Sequence, residues 1–317
     1  MKDYAKLREE RFSKLSGEVL EYFTGDMSQR PSCRELGVDG MRELLVGFYG
    51  GNKPDPHVDY EDVEIPGPAG LIPTRIYRPK GLGSDPLPIY LHTHGGGYVA
   101  GGGLDTAIPA NSTIALRSEC IVVAPDYRLP PEHPFPQGLD DCYAALEWTI
   151  ENAEDIGGRS HGICVGGGCT GGNIAAVVAL MARDAGLPLG AQDLYCTLFD
   201  ARSDYESHYE NGEGYTLSHD DCVWVVEQYL QDVDLRFDWR ASPILVPSVK
   251  GVAPALIRDG EWDVLRDESI AYANRLRDAG VEFQLTIVPE CSHTETPATD
   301  ASRYQELKEF MQKYCGA

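Results

Sequence analysis

Val165-Gly166-Gly167-Gly168-Cys169-Thr170-Gly171-Gly172-Asn173 stands between the apolar run Gly162–Val165 and a stretch of helical character from Gly171 to about Ala185. A strand, a glycine-lined turn and a helix in that order have the layout of a nucleophile elbow, G-x-S-x-G, with cysteine where serine is usual. Glycines flank such a position because the turn is sharp and a Cβ would collide with neighbouring backbone. The turn lifts one side chain to the top of a sheet and sets it at a helix N-terminus, where a thiol ionises more easily than a free one. The expected chemistry is acyl transfer through sulfur.

Two plainer readings compete. Gly166-x-Gly168-x-x-Gly171 also fits the dinucleotide fingerprint G-x-G-x-x-G. Its acidic partner should follow ~20 residues on, at the end of the next strand. Asp184 comes before that strand and Asp200 comes late. The other reading makes Cys169 a small buried filler. The rest of the chain has to decide.

With 317 residues and 42% hydrophobic content, the chain can bury a sizeable core. A formal net charge of -23 repels phosphate backbones and anionic lipid, so neither nucleic acid nor a membrane surface is an expected partner. No apolar stretch approaches the ~18 residues that span a bilayer. Met1-Lys2-Asp3-Tyr4-Ala5-Lys6 leads into a charged amphipathic segment rather than a signal peptide, and Cys315-Gly316-Ala317 is one residue short of a prenylation box. The nine cysteines are scattered without a C-x-x-C pair, as in a reducing compartment. A cytoplasmic protein with a small-molecule acyl substrate is expected, and a homodimer is left open. Cys33, Cys120, Cys142, Cys164, Cys196 and Cys222 read as core fillers. Cys291 lies two residues before His293, but a bridge to Cys169 is not expected.

The first fifty residues read as helical, with Leu7, Phe12, Leu15, Val19 and Phe23 on one apolar face and a second short helix beginning at Met41. Two strands follow, Asp59–Ile65 and Leu71–Tyr77. Strands Pro88–Leu91, Ile121–Ala124 and Gly162–Val165 then alternate with helices at Asn111–Arg117, Leu139–Glu151 and Gly171–Ala185. Residues 201–245 break the rhythm as an insertion with a helical stretch near Val223–Leu230. Strand Ala253–Arg258, helix Glu268–Ala279, strand Phe283–Val288 and helix Arg303–Tyr314 resume it. This alternation predicts an α/β fold: a mostly parallel sheet with helices on both faces. One domain over 1–317 is expected, with cap elements at about 1–55 and 201–245.

A nucleophile needs a base, and the base needs an orienter. Behind such an elbow the acid comes first and the histidine second. Asp263 follows the strand ending at Arg258, and His293 follows the last strand. Functional groups of open α/β sheets gather at the carboxyl ends of strands, so Cys169, Asp263 and His293 belong to one edge. Asp259, Glu261 and Asp267 remain rivals for the acid, Asp267 also fitting a helix N-cap. At the end of the Pro88–Thr93 segment stands His94-Gly95-Gly96-Gly97. Backbone N–H groups of such a loop can stabilise a developing oxyanion, and the residue after the nucleophile, Thr170, can add another. His94 reads as a brace for the loop. His92 and His94 lack a carboxylate cluster, so no metal is expected, and no cofactor.

Three blocks carry a specific resemblance: His94-Gly95-Gly96-Gly97, Asp126-Tyr127-Arg128-Leu129-Pro130-Pro131-Glu132-His133-Pro134-Phe135-Pro136, and Leu265-Arg266-Asp267-Glu268. They resemble the hormone-sensitive-lipase branch of the α/β-hydrolases, the carboxylesterases of the alpha/beta hydrolase fold-3 type, from about residue 60 to the end. The resemblance implies Asp263 as triad acid, His293 as base, and Gly96, Gly97 and Thr170 as oxyanion donors. It implies a bracing role for the Asp126–Glu132 block. The departure is central. Where the family has G-D-S-A-G-G, this chain has Gly167-Gly168-Cys169-Thr170-Gly171-Gly172.

A thiolate leaves a tetrahedral intermediate more readily than an alkoxide, so attack on a plain alkyl ester tends to revert. Activated esters, thioesters and lactones are therefore the expected substrates, with hydrolysis or acyl transfer through a covalent thioester. One alternative is a non-hydrolytic biosynthetic enzyme, such as a dehydratase, cyclase or isomerase, as in relatives with altered nucleophiles. The other is a ligand-binding pseudoenzyme like the plant hormone receptors of this fold, in which the catalytic histidine is lost, whereas this chain keeps Asp263 and His293. In the insertion, Trp224 and Tyr229 are five residues apart and do not share a helix face. The pocket wall there stays unassigned, and Tyr98 is the expected substrate-binding residue.

Overall fold

From residue 87 onward, apolar runs bounded by glycine-rich turns pair side by side. The computed structural model describes residues 2–15, 17–24, 31–49, 53, 55–83, 85–293 and 297–316. Among these, the strands are β1 (Val58–Gly67), β2 (Gly70–Pro79), β3 (Leu87–His92), β4 (Ile121–Pro125), β5 (Gly158–Gly168), β6 (Ala191–Tyr195), β7 (Ala255–Gly260) and β8 (Phe283–Val288). They form one sheet in the order β1-β2-β4-β3-β5-β6-β7-β8. The pairs β1/β2 and β2/β4 are antiparallel, and the others are parallel. The result is the expected α/β fold with a mostly parallel sheet.

The helices are α1 (Tyr4–Phe12), α2 (Gly17–Thr24), α3 (Cys33–Tyr49), α4 (Ile108–Ser118), α5 (Gln137–Glu151), α6 (Thr170–Ala185), α7 (Glu206–Glu210), α8 (His219–Leu230), α9 (Arg266–Asp278) and α10 (Pro297–Cys315). Helix α6 carries small and β-branched residues and is buried along most of its length. It can therefore lie close against β5 and β6, directly below the elbow. Among the described residues no helix is long and apolar enough to cross a membrane.

β5 runs three residues further than the expected strand. Gly166, Gly167 and Gly168 pair with Asp193, Leu194 and Tyr195 of β6. Side chains are missing there because the space is taken: a Cβ on Gly166 would meet the Tyr90 hydroxyl, and one on Gly168 the Tyr195 ring. These glycines pack against their own chain, which leaves no cradle for a dinucleotide pyrophosphate. β6 itself escapes the hydrophobic pattern because it buries Gln192 and Asp193. Each is held by a polar partner: Tyr90 donates to Asp193 Oδ2 at 2.8 Å, and Gln192 Nε2 donates to the Ala253 carbonyl at 2.8 Å. Buried polar groups are tolerated when so satisfied.

The N-terminal apolar face is divided between two helices. The chain breaks after Phe12, and Phe12, Leu15 and Phe23 converge on Tyr215 and Trp262. Phe23 and Trp262 have ring centroids 5.4 Å apart. The side chain of Val19 lies outside the described residues. The short helix expected at Met41 is the second half of α3, which kinks at Gly37. α3 is tied to α8 where Cys33 N–H donates to Asp221 Oδ1 at 2.6 Å.

Candidate active site

Cys169 stands at the carboxyl end of β5 and caps α6, with φ 56° and ψ -125°. A non-glycine residue in that region is strained, and strain of this kind collects where one side chain must be aimed. The chain on either side holds it. Cys169 N–H donates to the Tyr195 carbonyl at 3.0 Å, and its own carbonyl accepts from Asn173 N–H at 3.3 Å. The thiol is half-buried.

Asp263 and His293 arrive from the ends of β7 and β8, neighbouring strands paired as far as Gly260 and Val288. His293 Nδ1 lies 2.9 Å from Asp263 Oδ2, and Asp263 Oδ1 accepts from Leu265 N–H at 2.9 Å. Asp263 is fully buried. Of the rivals, Asp267 accepts from Ser207 N–H, Glu261 from Glu290 N–H, and Asp259 from Ser269 Oγ.

The three groups shift one another's charge. Burial opposes a thiolate at Cys169, but the His293 imidazolium and the Thr170 N–H outweigh it, and the thiol falls below its ordinary range. Burial likewise opposes the charge on His293, yet Asp263 and Cys169 hold its imidazolium well above the usual histidine range. Asp263 is lowered despite burial, chiefly by His293. These shifts favour a thiolate at Cys169 beside an imidazolium at His293, with the Asp263 carboxylate on the far side of the ring.

The loop His94–Gly97 faces this pair. A Cβ on Gly95 would sit 2.8 Å from the Gly168 carbonyl and 3.5 Å from Cys169 Cβ, so the loop lies directly on the elbow. Gly96 (φ 127°) and Gly97 (φ 62°) occupy backbone space that favours glycine. A Cβ on Gly97 would stand 2.7 Å from Val225 of the mid-chain cap. Tyr98 N–H donates to Thr170 Oγ1 at 3.1 Å, and the Tyr127 hydroxyl donates to the His94 carbonyl at 2.6 Å. The His94 ring stacks on Tyr127 with centroids 4.2 Å apart. His94 thus braces the loop.

Beside the elbow opens a cavity of about 310 Å³. Cys33, Met41 and Leu45 of α3 line it from one side, and Leu217, Cys222 and Val225 from the other. Both expected caps therefore supply its wall. Among the described residues no Asp, Glu, Lys or Arg lines it. Burial lowers His92 to about 3 and also lowers His94, so charge is disfavoured on both, whereas Asp263 and Cys169 raise His293 despite burial.

One expectation needs correction, and two readings gain detail. Tyr98 is not a wall residue: it is buried, outside the lining, and stacks on Tyr229 with centroids 3.7 Å apart. Its φ of 63° turns the ring out of the loop and onto α8. Trp224 and Tyr229 are both buried in the core, and Val225, between them, reaches the cavity. Cys33, Cys196 and Cys222 are buried, as fillers would be, but they also line the cavity. Cys196 reads from the sequence only as a filler because it follows β6, whose polar interior conceals the strand that places it here. Its Sγ, a ring nitrogen of His293 and a carboxylate oxygen of Asp263 lie within 4.8 Å of one another. In that cluster Nδ1 and Oδ2 are already engaged with each other through one proton.

A family model described as alpha/beta hydrolase fold matches residues 90–296. The chain is 41% identical over 282 residues to the carboxylic ester hydrolase LipN of Mycobacterium tuberculosis, covering 83% of this chain and 73% of that one. It is 39% identical over 226 residues to the carboxylesterase NlhH of the same species, covering 70% of each. A thermostable esterase from Pseudomonas putida superposes with a TM-score of 0.81 at 29% identity, covering 98% of each chain. The carboxylesterase EstE1, cloned from a metagenomic library, gives 0.81 at 30% identity, over 90% of this chain and 98% of that one.

Proposed function

Because the chain belongs to the alpha/beta hydrolase fold family, in its hormone-sensitive-lipase-like branch, and is an esterase-like enzyme, we propose that Cys169 is its nucleophile and activated acyl compounds are its substrates. The observation that supports this reading is the convergence of Cys169, His293 and Asp263 beside one cavity, with His293 Nδ1 2.9 Å from Asp263 Oδ2.

The thiolate attacks the substrate carbonyl carbon, and its electron pair becomes the new C–S bond. The C=O pair moves onto oxygen, which accepts N–H bonds from Gly96, Gly97 and Thr170. As the carbonyl re-forms, the bond to the leaving group breaks, and His293 Nε2 delivers its proton to the departing alcohol, thiol or enol. Asp263 holds Nδ1–H throughout and stabilises the imidazolium. Neutral His293 then takes a proton from water, the hydroxide adds to the thioester, and collapse releases the acid and restores the thiolate. An alcohol or amine in place of water gives acyl transfer.

The leaving group decides the outcome of the first step. Sulfur is itself a good leaving group, so net acylation requires a partner that departs at least as readily. Aryl and enol esters, thioesters and lactones meet that condition. The neutral wall of the cavity accepts an uncharged acyl group, and the net charge of -23 disfavours polyanionic carriers.

Intact-mass analysis after mixing with an activated aryl ester tests the reading. The expected result is one acyl adduct at Cys169 and loss of turnover in Cys169→Ala. No adduct together with full activity in Cys169→Ala would overturn it.

A further inference from the structure

We propose that Cys196, His293 and Asp263 form a site for a thiophilic divalent cation, zinc above all, and that the bound ion shuts the enzyme off. The inference goes beyond the reading of Cys169 as nucleophile and needs only the positions of these three side chains. β6, β7 and β8 lie side by side in the sheet, and each delivers one of them past its carboxyl end. The backbone of Cys196 is fixed: its φ is 46°, and its N–H donates to the Arg258 carbonyl of β7 at 2.8 Å. Cys196 Sγ, a His293 ring nitrogen and an Asp263 carboxylate oxygen all fall within 4.8 Å of one another. One point therefore stands within about 3 Å of all three, and a contraction of less than about 1 Å reaches the ~2.0–2.3 Å of zinc bonds.

The donor types select the ion. A thiolate, an imidazole and a carboxylate suit zinc, whereas magnesium and calcium take oxygen ligands. Thiolate and carboxylate together balance the two positive charges in a site where Cys196 is 3% exposed and Asp263 is fully buried. Zinc is tetrahedral, so three protein ligands leave a fourth position for water or a further donor. Cys196 and His293 both line the cavity, which gives an ion its way in. Binding displaces the Cys196 thiol proton and the proton that joins His293 Nδ1 to Asp263 Oδ2 across 2.9 Å. A set that must give up two protons and a hydrogen bond is built for reversible inhibition rather than for a permanent metal centre. With the ion in place, Asp263 no longer orients the His293 ring through a proton, and turnover stops.

Cobalt and zinc alone test this. Cys169→Ala removes the other thiol at the His293 ring. Co²⁺ added to that variant should give a thiolate-to-metal charge-transfer band in the near ultraviolet and tetrahedral d–d bands in the visible, and Zn²⁺ should abolish both. Cys169→Ala with Cys196→Ser should show neither. In steady-state assays on an aryl ester, Zn²⁺ should inhibit the wild type, and a chelator should restore the rate. Cys196→Ser, measured against its own zinc-free rate, should need at least about tenfold more Zn²⁺ for the same inhibition. No charge-transfer band in Cys169→Ala overturns the proposal, as does the same band in the double variant. An unchanged Zn²⁺ requirement in Cys196→Ser also overturns it and assigns the ion to Cys169 and His293 instead. The cobalt spectrum depends on neither turnover nor Cys169, so it separates failure here from failure of Cys169 to form an adduct.

Discussion

The amide of Tyr98 donates to the hydroxyl of Thr170 at 3.1 Å, which ties the His94–Gly97 loop to the residue after Cys169. Loop and elbow come from different strands, and this bond sets the spacing between their N–H groups. In Thr170→Val the Tyr98 amide is buried without a partner. A loss of about 1–3 kcal/mol of stability is expected, with kcat falling more than KM changes. Thermal unfolding and steady-state kinetics on an aryl ester measure both. Wild-type values for the two would remove the tether from the mechanism.

Gly97→Ala should leave the protein folded but impair acylation. Its φ of 62° and the approach of Val225 force the loop to shift, and the oxyanion donors move with it. A loss on the order of 10²–10³ in kcat is expected, the size seen when one such donor is removed.

Asp263→Asn removes the carboxylate that receives His293 Nδ1–H and leaves the ring in the wrong tautomer. Turnover should fall by about 10⁴, while ligand binding in the cavity persists. Kinetics with a competitive inhibitor as a binding control separates the two. A variant within tenfold of wild type would transfer the acid role to another residue.

The rate of Cys169 alkylation by iodoacetamide should report the ion pair. The thiolate is lost as pH falls through the thiol's value, which lies below its ordinary range, so the rate should reach its plateau at a lower pH than an ordinary thiol does. His293→Ala removes the imidazolium and should move the inflection upward. Superimposable profiles for the two proteins would dismiss the pair.

Tyr98→Phe preserves the stack on Tyr229 and should retain substrate affinity, whereas Tyr98→Ala should cost about 3–5 kcal/mol of stability. Calorimetric melting and KM for the two variants decide between a core residue and a pocket residue. A large KM change in Tyr98→Phe would return Tyr98 to the pocket.

The amino-acid pattern by itself determined the architecture and the ends of strands where chemistry collects. Apolar runs from Ile89, Ile121, Ile163, Leu256 and Phe283, separated by helices, specify parallel pairing because each strand must be covered on both faces. Glycines around Cys169 and after His94 mark backbone that approaches other backbone, and that signal is local. What only the tertiary structure decided concerns groups brought together from distant positions. β6 was hidden because it buries Gln192 and Asp193, which bond to Ala253 and Tyr90, partners that a one-dimensional pattern does not display. By the residues alone Asp263 stood beside Asp259, Glu261 and Asp267, and it is parted from them in space by a 2.9 Å contact with His293, beyond the end of β8. Tyr98 turned from the cavity to Tyr229 because a positive φ redirected it, and the cavity wall came from two caps far apart in the chain. Periodicity encodes which face of an element is buried, but not which neighbour buries it.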